Sequence, residues 1–130
     1  MMRGEVRQNL ANGLEARLEI RVEGADGIFY LSEAVVDTGF TGDLMLPDSM
    51  IQRLGLTAAD QTEVVLATGE VRRINYYFTR IFWQGEVLPV TVFQSQDQSL
   101  LGMQLLRDNI ITIHARDGGE LTITKSTPES

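Results

Sequence analysis

The sequence predicts a small all-β protein, a barrel or folded sandwich with one or two short helices. Three observations carry that reading. Apolar and polar residues alternate with period two over several short stretches. Turn-forming residues punctuate those stretches at near-regular spacing, and only two brief segments fit a helical pattern. Strands following strands, without a long helix between them, exclude a βαβ architecture. At 130 residues the chain is read as one domain, residues 1–124, with a flexible polar tail over 125–130.

Leu14 to Glu23 alternates strictly and reads as a half-buried strand. Gly24-Ala25-Asp26-Gly27 is a turn by composition, because Gly and Asp tolerate the backbone of tight reversals. Ile28 to Val36 follows as the returning strand of a hairpin. Its end, Ala34-Val35-Val36, loses the alternation, as a strand covered on both faces does. The short apolar run Leu44-Met45-Leu46 precedes a helix over Pro47 to Gly55. Proline suits a helix start, Asp48 complements the positive N-terminal end, Gly55 closes the helix, and Met50, Ile51 and Leu54 form its buried stripe.

Glu63 to Ala67 and Glu70 to Trp83 read as strands joined at a Thr68-Gly69 tip, and Gln84-Gly85 marks the next reversal. Val87 to Phe93 is a strand that Pro89, lacking a backbone donor, places at an edge or breaks. Gln94 to Gln98 is a polar loop. A helical turn follows Leu100-Leu101-Gly102 and runs to Arg107. Asn109 to Ala115 and Glu120 to Thr124 are the last strands, with Arg116 to Gly119 turning between them.

Composition narrows the chemistry. A net charge of −7 with scattered basic residues argues against nucleic acid as a partner. The chain has no cysteine and one histidine, His114, so disulfides and thiolate metal sites are excluded and a zinc site or Ser-His triad is disfavoured. No cofactor and no metal are expected. No apolar run approaches the roughly 18 residues of a membrane span, and the N-terminus lacks the apolar core of a signal peptide, so the expected location is the cytoplasm. Carboxylates are left as the main catalytic resource.

The feature that concentrates those constraints is Asp37-Thr38-Gly39. As an isolated tripeptide it is a good turn and nothing more. Here, however, it ends a strand covered on both faces, where an acidic side chain is costly without a purpose. A second element, Leu100-Leu101-Gly102, stands before a short helix in the other half. Together, Val35-Val36-Asp37-Thr38-Gly39 and Leu100-Leu101-Gly102 resemble the retropepsin-like aspartic proteases. The sequence looks closest to their small bacterial stand-alone members, whose motif runs Asp-Thr-Gly-Phe-Thr-Gly before an apolar strand ending in proline.

That resemblance implies a closed or partly open acid-protease barrel and an endopeptidase acting on a peptide or protein substrate. It assigns catalysis to Asp37, Thr38 and Gly39, and support of the catalytic loop to Leu100, Leu101 and Gly102. Two close carboxylates sharing one proton activate a water for peptide hydrolysis. The chain has a single Asp-Thr-Gly, so the second carboxylate is expected from another copy in a homodimer. Thr38 would then hydrogen-bond across the two-fold axis, and Gly39 would leave room beside the carboxylates.

Phe40 departs from the small residue found in the best-known members, and is expected either to narrow the pocket or to pack against a partner. Thr68-Gly69 is either an ordinary β-turn or the tip of a flap that closes over bound peptide. Arg72-Arg73 and Tyr76-Tyr77 beyond it either face the cleft or alternate between solvent and core. Asp43 and Asp48 read as helix-capping or solvated residues, Asp117 as a turn residue, and His114 as a strand residue without a partner. The alternative function on the same fold is a catalytically inactive β-domain used for peptide binding or dimerisation.

Overall fold

A computed structural model describes residues 1–66 and 68–126. Ten strands and two short helices follow one another as β1 (Met2–Gln8), β2 (Leu14–Glu23), β3 (Phe29–Val36), β4 (Leu44–Pro47), α1 (Asp48–Leu54), β5 (Asp60–Val65), β6 (Val71–Trp83), β7 (Glu86–Ser95), β8 (Leu100–Leu101), α2 (Met103–Leu106), β9 (Asn109–Ile113) and β10 (Glu120–Lys125). The strands form one sheet in the order β5-β6-β7-β4-β8-β3-β2-β1-β10-β9. A further β6–β2 pairing, Arg21 with Phe82 and Val22 with Ile81, bends the sheet back on itself. The result is an all-β, partly open barrel, as the alternation predicts.

Period-two patterning decides what fills it. Leu18, Ile20 and Val22 of β2 point inward to meet Leu44 and Leu46 of β4, Ile81 and Trp83 of β6, and Val90 and Val92 of β7, all buried. Each aliphatic side chain removed from water in this way contributes about 1.5–3 kcal/mol before entropy is set against it. Helix α1 caps this core with Ile51 and Leu54. Pro47 stands at its N-cap, and Gly55 ends it in the left-handed conformation at φ 68°.

Several elements differ from the sequence reading: β5 begins at Asp60 rather than Glu63, β7 runs on to Ser95 through residues read as loop, and β9 ends at Ile113 rather than Ala115. β1 is a strand although Met2 to Gln8 looks polar. Its inward positions are Met2, Gly4 and Val6, and Gly4 conceals the alternation. A Cβ at Gly4 would overlap the carbonyl oxygen of Arg17, so the inward position admits no side chain. β10 runs one residue further than expected, to Lys125, and the N–H of Ser126 still donates to the carbonyl of Asp108 at 2.8 Å. The rest of the expected tail, 127–130, lies outside the described residues, as does Ala67.

Pro89 sits where the missing donor costs nothing. β7 stays in unbroken register with β6, but its pairing with β4 begins only at Val92, so Pro89 has a ladder on one side.

Candidate active site

β8 is only two residues long, yet the site is arranged around it. Leu100 and Leu101 lie between two strands, parallel to Val35 and Val36 of β3 and antiparallel to Leu44 and Met45 of β4. β3 therefore ends beside β8, and the Asp37 N–H donates to the Leu101 carbonyl at 2.9 Å. The loop then turns: the Phe40 N–H donates to the Asp37 carbonyl at 3.1 Å, and the Gly39 N–H donates to Asp37 Oδ1 at 2.9 Å. Among the described residues no group donates to Asp37 Oδ2. Asp37 is half-buried, while Thr38 and Gly39 are exposed.

From below, the start of α2 holds the same loop. The first N–H groups of any helix lack partners within it. Here Met103 N–H donates to the Phe40 carbonyl at 2.8 Å and Gln104 N–H to the Gly42 carbonyl at 3.2 Å. Just before the helix, Gly102 N–H donates to the Asp43 carbonyl at 2.9 Å. Gly102 is buried, and a Cβ on it would strike the carbonyl oxygens of Gly42 and Phe40 and the Phe40 ring. Leu101 is fully buried beneath the loop.

Phe40 folds back onto its own chain. Its ring meets Phe93 edge to face, with centroids 6.0 Å apart and planes at 89°. Gly42 makes room for that pair, since a Cβ there would lie 2.7 Å from Phe40 Cζ and 2.9 Å from Phe93 Cε2. Tyr76 extends the aromatic contact from Phe93, at 6.2 Å, and Phe78 continues it at 5.7 Å from Tyr76. The sequence offers no sign of this contact, because Phe93 lies far along the chain from Phe40.

Asp43 corrects an expectation. It neither caps a helix nor stands free in solvent; its Oδ2 accepts the Thr91 N–H at 3.0 Å and fastens the loop to β7. The β7 edge is unpaired there, which leaves the Thr91 donor in need of an acceptor. Asp48 lies in the first turn of α1 and accepts from the side chains of Gln52 and Gln94. His114 and Asp117 are exposed, and Asp117 Oδ1 accepts the Gln8 N–H at 3.1 Å.

β5 and β6 form a hairpin whose tip includes Thr68 and Gly69. The Gly69 N–H donates to the Leu66 carbonyl at 2.8 Å, and Gly69 takes a φ of 84°, a conformation that favours glycine. A groove of about 750 Å³ runs between this hairpin, β4 and the loop after β7, with Met45, Val64, Arg72, Arg73, Gln96 and Asp97 on its walls. Asp37, Thr68 and Gly69 are not among its lining residues. Tyr77 is buried in the core, whereas Arg72 and Arg73 are exposed. Among the described residues no group of three or more His, Cys, Asp or Glu is arranged to hold a metal, and no helix is long and apolar enough to cross a membrane.

The comparisons with known proteins agree with this arrangement. A family model described as Aspartyl protease matches residues 18–105, a span that includes both the Asp37 loop and the Leu100-Leu101-Gly102 element. None of the curated proteins matches the chain. Among solved structures, a retropepsin-like aspartic protease from Rickettsia conorii superposes with a TM-score of 0.56 at 19% identity, covering 97% of this chain and 92% of that one. The chain belongs to the aspartyl protease family, and its fold is that of the retropepsin-like aspartic proteases.

Proposed function

We propose that the chain is an aspartic endopeptidase whose catalytic centre forms between two copies, each contributing Asp37. The observation that carries this reading is the placement of Asp37. It stands at the mouth of a braced loop, with Oδ1 held by the Gly39 N–H and the loop pinned by α2 and β8. A carboxylate fixed in this way meets its two-fold mate without a further search for geometry. Like charges in near contact cannot both ionise, so the pair shares one proton. The ionised member takes a proton from water as it attacks the scissile carbonyl, and the protonated member donates to the carbonyl oxygen. Both protonation steps belong to the pair rather than to one residue.

Thr38, exposed beside Asp37, would bond across the axis, and Gly39 leaves space for substrate. An extended peptide would lie beneath the β5–β6 hairpin, with Thr68 and Gly69 at the flap tip. Residues 1–124 act as the protease domain, and the protein works in the cytoplasm without a metal or other cofactor.

The test is cleavage of a mixed peptide library between about pH 3 and pH 7, with the wild-type chain and Asp37→Asn compared at equal concentration. Wild-type cleavage that disappears in the variant is the expected result. Cleavage that survives the substitution refutes the mechanism. A wild-type chain that binds peptides but never cuts them identifies an inactive β-domain instead.

A further inference from the structure

A single row of facing residues crosses five strands of the sheet. Val35 of β3 pairs with Leu100 of β8, Leu100 with Met45 of β4, Met45 with Phe93 of β7, and Phe93 with Tyr76 of β6. Facing partners share one face of a sheet, and successive residues alternate between faces. The chain neighbours Ala34, Leu101, Leu44, Val92 and Tyr77 are all buried in the core. The row therefore lies on the opposite face, where each member is half-buried. Asp37 stands two residues beyond Val35, and its N–H still pairs with Leu101, so the alternation of β3 brings its carboxylate to the same face. The row is the floor of the approach to Asp37.

The Phe40 ring lies on that floor. Gly102 is extended, at φ −104° and ψ 177°, and stands two residues past Leu100. A Cβ on it would point to the floor's face, and there it would meet Phe40 Cδ2 at 2.6 Å. The ring also touches Phe93, a member of the row, with centroids 6.0 Å apart. It has nowhere to withdraw. Beneath it is the backbone of Gly42 and Gly102, held by the Gln104 N–H on the Gly42 carbonyl and by the Gly102 N–H on that of Asp43.

The groove under the β5–β6 hairpin shows the result. It reaches Met45 of the row, and Val64 and Ile74 of the hairpin, but neither Leu100, Phe40 nor Asp37 lines it. Between the groove and the carboxylate the floor is filled by Leu100 and the Phe40 ring.

We infer that Phe40 sets the specificity of the cleft: it occupies the space beside Asp37, so the peptide side chain pointing to the floor nearest the cut bond is confined to Gly, Ala or Ser. This rests on the aspartic endopeptidase reading above and adds to it the class of substrate. Alternate side chains of an extended peptide point at the floor. The next one, leading away from Asp37 along the row, comes to Met45 and the groove, which has space for a large apolar side chain. The preferred peptide is small beside the cut bond and large and apolar at the next floor-facing position. A second copy repeats the ring across the two-fold axis, so the restriction holds on both sides of the bond.

The test maps the bonds that are cut. A peptide library with random sequence is digested by the wild-type chain, and mass spectrometry identifies the residues flanking each cleavage. Gly, Ala and Ser are expected at one position on each side, the first or second from the cut, with Leu and Phe excluded there. In Phe40→Ala the same position should admit Leu and Phe. The ratio of kcat/KM for a Leu-containing peptide to that for its Ala-containing twin should rise at least about tenfold, the lower range that a few methylenes command in an apolar pocket. Phe40→Leu keeps apolar packing on Phe93 and should move the ratio part of the way, so the inference stays measurable if the alanine variant fails to fold. A ring that only holds the loop would slow both peptides alike. An unchanged ratio in the variants overturns the inference, as does a wild-type chain that accepts Leu or Phe at every position beside the cut. Asp37→Asn separates the two readings. If it abolishes cleavage while the ratio ignores Phe40, only the specificity role falls. Cleavage that survives Asp37→Asn, or a wild-type chain that cuts no member of the library, overturns the endopeptidase reading together with it.

Discussion

A Cβ on Gly102 would overlap the carbonyl oxygen of Gly42 and stand 2.7 Å from that of Phe40. Both obstacles are backbone atoms of the Asp37 loop, and that backbone is itself tied to α2 by hydrogen bonds from Met103 and Gln104. Nothing flexible is available to move aside. Gly102→Ala is expected to cost about 3 kcal/mol, the upper range for overpacking, or to prevent folding. Urea unfolding measures it; a loss below about 1 kcal/mol would mean that the loop yields more readily than its bonds imply.

Much of this architecture is legible in the sequence because local chemistry and tertiary demand coincide there. Leu14 to Glu23 alternates and is a strand; Gly55 ends a helix with the conformation glycine favours. Pro89 is readable for the same reason, since a missing donor restricts where a strand can pair. What stays hidden depends on distant partners. Gly4 conceals the alternation of β1 because the space for its side chain is filled by Arg17. Asp43 gives no local sign that Thr91 will need its carboxylate, and Phe40 none that Phe93 will meet it. The two residues of β8 are too few for periodicity, so only their likeness to a known motif draws notice to them.

Phe40 offers the second prediction. Its ring is half-buried against Phe93 in a space that Gly42 keeps open. Removing it in Phe40→Ala takes away the edge-to-face contact and part of the apolar burial, about 2 kcal/mol for a side chain that is not fully enclosed. Phe40→Leu should recover roughly half of that loss. Thermal unfolding of the two variants checks the order. A Phe40→Ala chain as stable as the wild type would assign the ring no role in holding the loop.

The third concerns Asp43, whose carboxylate accepts the Thr91 N–H at 3.0 Å. A hydrogen bond to a charged acceptor contributes about 1.5–3 kcal/mol, and truncating the acceptor leaves the donor unsatisfied. Asp43→Ala should therefore lose about 2 kcal/mol, whereas Asp43→Asn keeps an acceptor oxygen and should lose less. Amide hydrogen exchange at Thr91 provides a direct measurement: exchange should quicken in the alanine variant and stay slow in the asparagine one. Equal protection in all three chains would show that Thr91 finds another partner.

The last prediction follows from Glu23 and Arg80, which join β2 to β6 where the sheet closes. The guanidinium donates to both carboxylate oxygens, at 2.8 and 2.6 Å, and these bonds hold the Glu23 pKa below its ordinary value of 4.5. A carboxylate whose folded pKa is lowered adds stability above its unfolded value and loses it as pH falls through the folded one. The pair's contribution is therefore complete near neutral pH and declines below about 4.5. Arg80→Gln should unfold at lower temperature than the wild type at pH 7, and the gap should narrow steadily as the buffer is taken toward pH 3. Added salt should narrow it as well, since the Arg80 side chain is 56% exposed and its charge is partly screened. A gap that holds constant from pH 7 to pH 3 would assign the loss to the packing of the Arg80 stem rather than to its charge.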